Sequence, residues 1–165
     1  MRKTLLLTLV LLAGCQTTDT TPVDPSNATY ILDSRTITLT NGVFDEPAAP
    51  GSAAKATTRL TDKRASGDMN GDGKPDVAVV LTSSGGGSGT FYYAVALLSQ
   101  GGGKGDATNA ILLGDRIGVD AIRIDGGKII IDTLERRPGE PFTTAPSVRF
   151  ARTFQVKAGA LSEVR

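Results

Sequence analysis

The chain has 165 residues, 18 basic and 17 acidic side chains, no histidine and a single cysteine. Those counts exclude Ser–His triads, Cys–His pairs and imidazole zinc sites together, and they leave no partner for an internal disulfide. Charge is balanced and no basic stripe runs through the sequence, so nothing recommends nucleic acid as a partner.

Arg2 and Lys3 stand ahead of an apolar run, Leu5 to Leu12, which only Thr8 interrupts; Leu12-Ala13-Gly14-Cys15 closes it. A charged start, a short apolar middle and small residues before a cut describe an export signal. The run falls short of the roughly 20 apolar residues of a permanent span. Leu12 to Cys15 resembles the lipobox of bacterial lipoproteins. That resemblance implies cleavage before Cys15, acylation of its sulfur and new amino terminus, and the lipid bilayer as a partner. Several acyl chains, at about 0.8 kcal/mol per buried methylene, anchor a protein firmly. Gln16 follows the cysteine where an Asp would favour the inner membrane, which implies an outer-membrane anchor facing the periplasm. A plain secretory signal with an accidental cysteine is the alternative. Removal of residues 1–14 takes two cations away and leaves a net charge of −1.

Residues 15–27 comprise the lipidated cysteine and QTTDTTPVDPSN, whose only strongly apolar residue is Val23. Such a segment buries too little to offset the entropy of ordering and reads as a flexible tether. Residues 28–165 then suit one domain, and its fold class reads as mainly β, a single antiparallel sheet or sandwich. Thr36–Val43 and Ala56–Thr61 are expected as short strands on either side of a Pro-rich turn, EPAAPG. Val77–Leu81 and Phe91–Leu98 are almost continuously apolar, which predicts central strands covered on both faces, joined by the loop Ser83–Gly89. Gly101–Gly105 (GGGKG) lacks the spacing and the Ser or Thr of a phosphate loop and reads as a loose surface loop. Ile122–Asp125 and Lys128–Ile131 flank Gly126-Gly127, a two-residue hairpin turn. That turn sets Asp125 opposite Lys128, Ile124 opposite Ile129 and Ile122 opposite Ile131, with four isoleucines on one face. Arg136 to Pro141 (RRPGEP) reads as a charged exposed turn. Val148, Phe150, Phe154 and Val156 alternate with polar residues, Arg152 interrupts their apolar face, and Gly159 turns the chain back into Leu161–Val164.

One stretch carries chemistry. Asp68, Asn70, Asp72, Lys74 and Asp76 fall at positions one, three, five, seven and nine of a calcium loop, with Gly73 at the sharp turn. Calcium needs six to eight oxygens, here three carboxylates, an amide and the Lys74 carbonyl. Position twelve is Val79 rather than a bidentate Glu, and a strand follows where an EF-hand begins a helix. Residues 67–80 resemble instead the DxNxDGxxD loops of FG-GAP and VCBS-type repeats, which precede strands. The resemblance implies one Ca²⁺ site at 68–76; a single copy cannot build those families' propellers. The competing reading is a tight turn made by Asn70-Gly71 and Asp72-Gly73. GSGTFYY, LGDRI and RRPGEP resemble segments of exported bacterial proteins and imply an envelope domain without a particular activity. The sequence thus leads to an envelope lipoprotein bearing a non-catalytic binding or interaction domain for a protein or glycan partner, stabilised by calcium. A carboxylate-dependent hydrolase of envelope polymers and an accessory subunit of an envelope complex are the alternatives.

Overall fold

The structure is a computed structural model and describes residues 21–164. The export signal and Cys15 lie outside the described residues. The fold is mainly β and antiparallel, in three layers that follow from two strands with no polar face.

Those strands are β5 (Asp76–Ser84) and β6 (Phe91–Gly101), the middle of a six-stranded sheet. Their ladder runs from Val77 opposite Leu97 to Ser83 opposite Phe91, closed by the Gly-rich loop. Successive side chains on a strand point to opposite faces, so a continuously apolar pair must be covered twice. Ala78, Val80, Ala94, Ala96 and Leu98 enter one buried cluster, while Val77, Val79, Leu81, Tyr93, Val95 and Leu97 enter another. The expectation of central strands covered on both faces holds.

The first face is covered by a four-stranded sheet in the order β12 (Ala160–Val164), β11 (Val148–Lys157), β10 (Lys128–Glu135), β9 (Gly118–Asp125). The β9–β10 register is the one the Gly-Gly turn predicts: Asp125 faces Lys128, Ile124 faces Ile129 and Ile122 faces Ile131. Gly126 and Gly127 take φ of 54° and 74°, the left-handed region that such turns require. Ile129, Ile131 and Phe154 are fully buried beneath this sheet. Arg152, on the same apolar face, sends its guanidinium to the Leu113 carbonyl (2.9 Å) and to Glu163, tying the second sheet to the first.

The second face is covered by a hairpin, β1 (Thr29–Leu32) with β2 (Arg35–Thr38). Tyr30, Leu32, Ile37 and Leu39 project from it into the second cluster. Val23 joins them at 4% exposure, and Pro25 is buried in a 3₁₀ turn, Pro25–Asn27, capped by Asp24. The Tyr30 hydroxyl donates to the Pro25 carbonyl at 2.6 Å, and burial pushes that phenol's pKa up. The tether reading of 15–27 is therefore corrected at its end. Val23 has a hole to fill against Gly105, where a Cβ would lie 2.8 Å from its methyl group. Packing outweighs the polarity of its neighbours.

Three further expectations change. Thr36–Val43 is not one strand: Asn41 and Gly42 (φ 52° and 81°) turn the chain between β2 and β3 (Val43–Pro47). Ala56–Thr61 is the start of a longer strand, β4 (Lys55–Gly67), which a register shift between Leu60 and Arg64 carries past its polar stretch. The GGGKG segment is a tight connection, with Gly101 opposite Lys104, leading β6 into β7 (Lys104–Ala107). β8 (Ile111–Asp115) continues along the same edge of β6. In the RRPGEP turn, Arg136 binds three carbonyls, of Arg116, Phe142 and Thr144, so that loop is organised by its own cation.

Replacing Val23 by Asp should destabilise the protein by at least about 2 kcal/mol, because an unpaired carboxylate would be driven into the hairpin-side core. Urea unfolding measures it; an unchanged midpoint would return residue 23 to a free tether.

Candidate metal loop at the joint of the two sheets

The 68–76 loop connects β4 to β5 at the end of the central sheet. Its exposed part is a cascade of side-chain-to-backbone bonds. Asp68 Oδ1 accepts from Gly71 N–H (2.7 Å) and Asp68 Oδ2 from Gly73 N–H (2.9 Å). Asn70 Oδ1 accepts from Asp72 N–H (2.9 Å) and Asp72 Oδ1 from Lys74 N–H (2.8 Å). Short polar side chains favour such local bonds. Gly71 and Gly73 supply φ of 82° and 79°, which let the chain coil back over Asp68. The amides of Gly73 and Gly71 hold the Asp68 carboxyl below the usual carboxylate range. It therefore stays ionised at neutral pH and keeps accepting both bonds.

Two residues fasten this cascade to the body. Met69 is the one apolar residue of the loop, and its side chain sits in the cluster under the four-stranded sheet. Asp76 is 0% exposed; its Oδ2 accepts from Met69 N–H (2.9 Å) and its Oδ1 from Ser99 N–H on β6 (2.8 Å). One buried carboxylate thus joins the loop, β5 and β6. The second sheet arrives at the same place. Gly127, at the β9–β10 turn, comes so near that a Cβ there would lie 3.6 Å from the Asp68 carbonyl, and Gly67 backs onto Ile124.

The donor set fits a cation in part. Asp68, Asn70 and Asp72 are exposed, and each oxygen that accepts one backbone bond keeps a second lone pair. The Asp76 carboxylate is directed inward, to two backbone amides, and not to the exposed side with the other three. Among the described residues no group of three or more carboxylates is close enough together to hold a metal. Ser99 and Met69 were not legible as part of this site. An apolar residue inside a polar loop was the only signal for Met69, and Ser99 lies in an apolar strand without any.

Elsewhere six acids form ion pairs with arginines: Glu46, Asp115, Asp120, Asp132, Glu140 and Glu163. An open groove of about 630 Å³ beside β1 and β7 brings together Asp24, Lys104 and Asp106 with Val23 and Ile31. With this geometry compared against known proteins, no family model matches the chain, no curated protein is similar to it and no solved structure matches its fold. The likeness of residues 67–80 to FG-GAP and VCBS loops accordingly rests on those residues alone.

Asp76→Ala would strand two buried N–H donors, each worth about 1–3 kcal/mol when unsatisfied. We expect a loss of roughly 2–5 kcal/mol in chemical denaturation, with or without calcium. A loss under about 0.5 kcal/mol would show that the carboxylate pins nothing.

Proposed function

We propose that this protein is a lipid-anchored bacterial envelope protein whose β domain is a non-catalytic binding or interaction module, with the 68–76 loop as a calcium clip. The anchor reading is supported by Leu12-Ala13-Gly14-Cys15, the charged start and the absence of any other cysteine. Cys15 carries the acyl chains, and the outer membrane, on its periplasmic side, is the address.

The observation that carries the clip is the Asp68 cascade. Its bonds fix the exposed side chains of Asp68, Asn70 and Asp72 on one tight coil, and their unused lone pairs with the Lys74 carbonyl are the proposed ligands. Asp76 serves from inside, as the pin that holds the coil to β6. Two exposed carboxylates and no twelfth-position ligand correspond to weak extracellular sites, with Kd on the order of 10⁻⁴ to 10⁻³ M. A cation held there is a structural element, because it binds folded protein and so raises stability by mass action. The place matters: the loop adjoins the tip of the opposing sheet at Gly127.

The experiment has two arms. In cells, Cys15→Ala should abolish lipid labelling and release the protein from the membrane fraction; unchanged labelling would end the anchor reading. In melting scans, millimolar calcium should raise Tm over chelator, and Asp72→Ala should remove that increment. Equal Tm in calcium and chelator would end the clip reading.

A further inference from the structure

The loop contains two peptide links prone to rearrangement, Asn70–Gly71 and Asp72–Gly73. In an Asn–Gly link the glycine nitrogen, on losing its proton to water, attacks the Asn side-chain carbonyl carbon. The carbon–nitrogen bond to the side-chain amide breaks, ammonia leaves, and a five-membered imide forms. Water then opens the imide at either carbonyl, giving Asp or isoaspartate. An Asp–Gly link reaches the same imide when its carboxyl is protonated, the carboxyl oxygen leaving as water. Glycine makes both links reactive, because no side chain hinders the attacking nitrogen.

In the folded loop both attacking nitrogens are held by the same carboxylate. Gly71 N–H lies 2.7 Å from Asp68 Oδ1 and Gly73 N–H lies 2.9 Å from Asp68 Oδ2. A hydrogen bond to an anion stabilises the protonated form of the donor, so each nitrogen is kept from becoming a nucleophile. The two targets are restrained as well: Asn70 Oδ1 is bound to Asp72 N–H and Asp72 Oδ1 to Lys74 N–H. Attack requires a near-contact geometry, and these bonds hold each side chain toward the second amide after it. All four residues are exposed, so water reaches them and burial offers no protection.

We propose that Asn70–Gly71 and Asp72–Gly73 are dormant modification sites and that Asp68 is the residue that keeps them from closing to imides. Opening of the loop releases Gly71 and Gly73 together. Conversion of Asn70 to Asp adds a carboxylate to the coil, and the isoaspartate product lengthens its backbone by one carbon. This protection needs no cation, since the Asp68 bonds form within the polypeptide alone.

The chain supplies its own control. Asn41–Gly42 is a second Asn–Gly link, and its glycine N–H is held by the Ser26 carbonyl at 2.8 Å, remote from Asp68 in sequence. The test is peptide mass mapping of the protein and of Asp68→Ala after incubation in chelator at mildly alkaline pH. We expect conversion at Asn70 to be several-fold faster in Asp68→Ala, with Asn41 unchanged, and isoaspartate at position 72 in a parallel mildly acidic incubation, resolved from Asp by chromatography because the two have the same mass. Asp68→Asn, which keeps one acceptor oxygen, should fall between. Equal Asn70 rates in the three proteins would overturn the proposal. Should Asp68→Ala unfold the chain, Asn41 will accelerate too, and the native protein decides alone. Its Asn70 must convert several-fold more slowly in buffer than in urea; equal rates there would overturn the proposal as well. A calcium reading that fails leaves these rates untouched, because they are measured in chelator.

Discussion

β5 and β6 carry apolar side chains on both faces, and that single constraint organises the molecule. A sheet with one polar face can rest on one layer; a strand pair reading Val-Ala-Val-Val-Leu against Ala-Val-Ala-Leu-Leu cannot. Each fully buried aliphatic side chain is worth about 1.5–3 kcal/mol relative to exposure, so leaving either face open would forfeit several of them. The four-stranded sheet closes one face with Ile129, Ile131 and Phe154. The β1–β2 hairpin closes the other with Tyr30, Leu32, Ile37 and Leu39, helped by Val23 from the segment before it. The layers are consequences of the central strands rather than separate modules.

The 68–76 loop gains its meaning from the same arrangement. It is the entry to β5, and its inner half is built into the body through Met69 and Asp76. A buried carboxylate is tolerated only when its lone pairs are taken up, and the amides of Met69 and Ser99 do that here. Position nine of the motif therefore works as a staple between two strands and a loop. The outer half, from Asp68 to Lys74, is a separate hydrogen-bonded coil whose oxygens face solvent. A cation proposed at that coil would stiffen the point where β4, β5 and the β9–β10 turn come together.

Much of this was legible in the residues. Hairpin register followed from Gly126-Gly127 because side chains on paired strands repeat every second residue, and one register alone puts Ile122, Ile124, Ile129 and Ile131 on a common face. The two-faced burial of β5 and β6 followed from their unbroken hydrophobicity. What escaped was decided by distant contacts. Val23 looked like an isolated apolar residue in a polar tether; its pocket beside Gly105 is about eighty positions away. Asn41-Gly42 is a strong turn signal, yet the alternating residues on either side of it suggested a single strand. The polar half of β4 shows no hydrophobic period, because it is held by pairing with β5 and not by its side chains. At the loop, spacing predicted which residues share one coil and could not predict that Asp76 would turn inward, since Ser99 is twenty-three residues further on.

Native-state hydrogen exchange tests the central constraint most directly. If β5 and β6 are the strands on which both outer layers depend, the amides of Val79, Val80, Val95 and Ala96 should exchange last, and only through global unfolding. Their protection should match the full unfolding free energy measured with denaturant. Exchange of those amides through a partial opening, while Ile129 or Phe154 remained protected, would contradict the account.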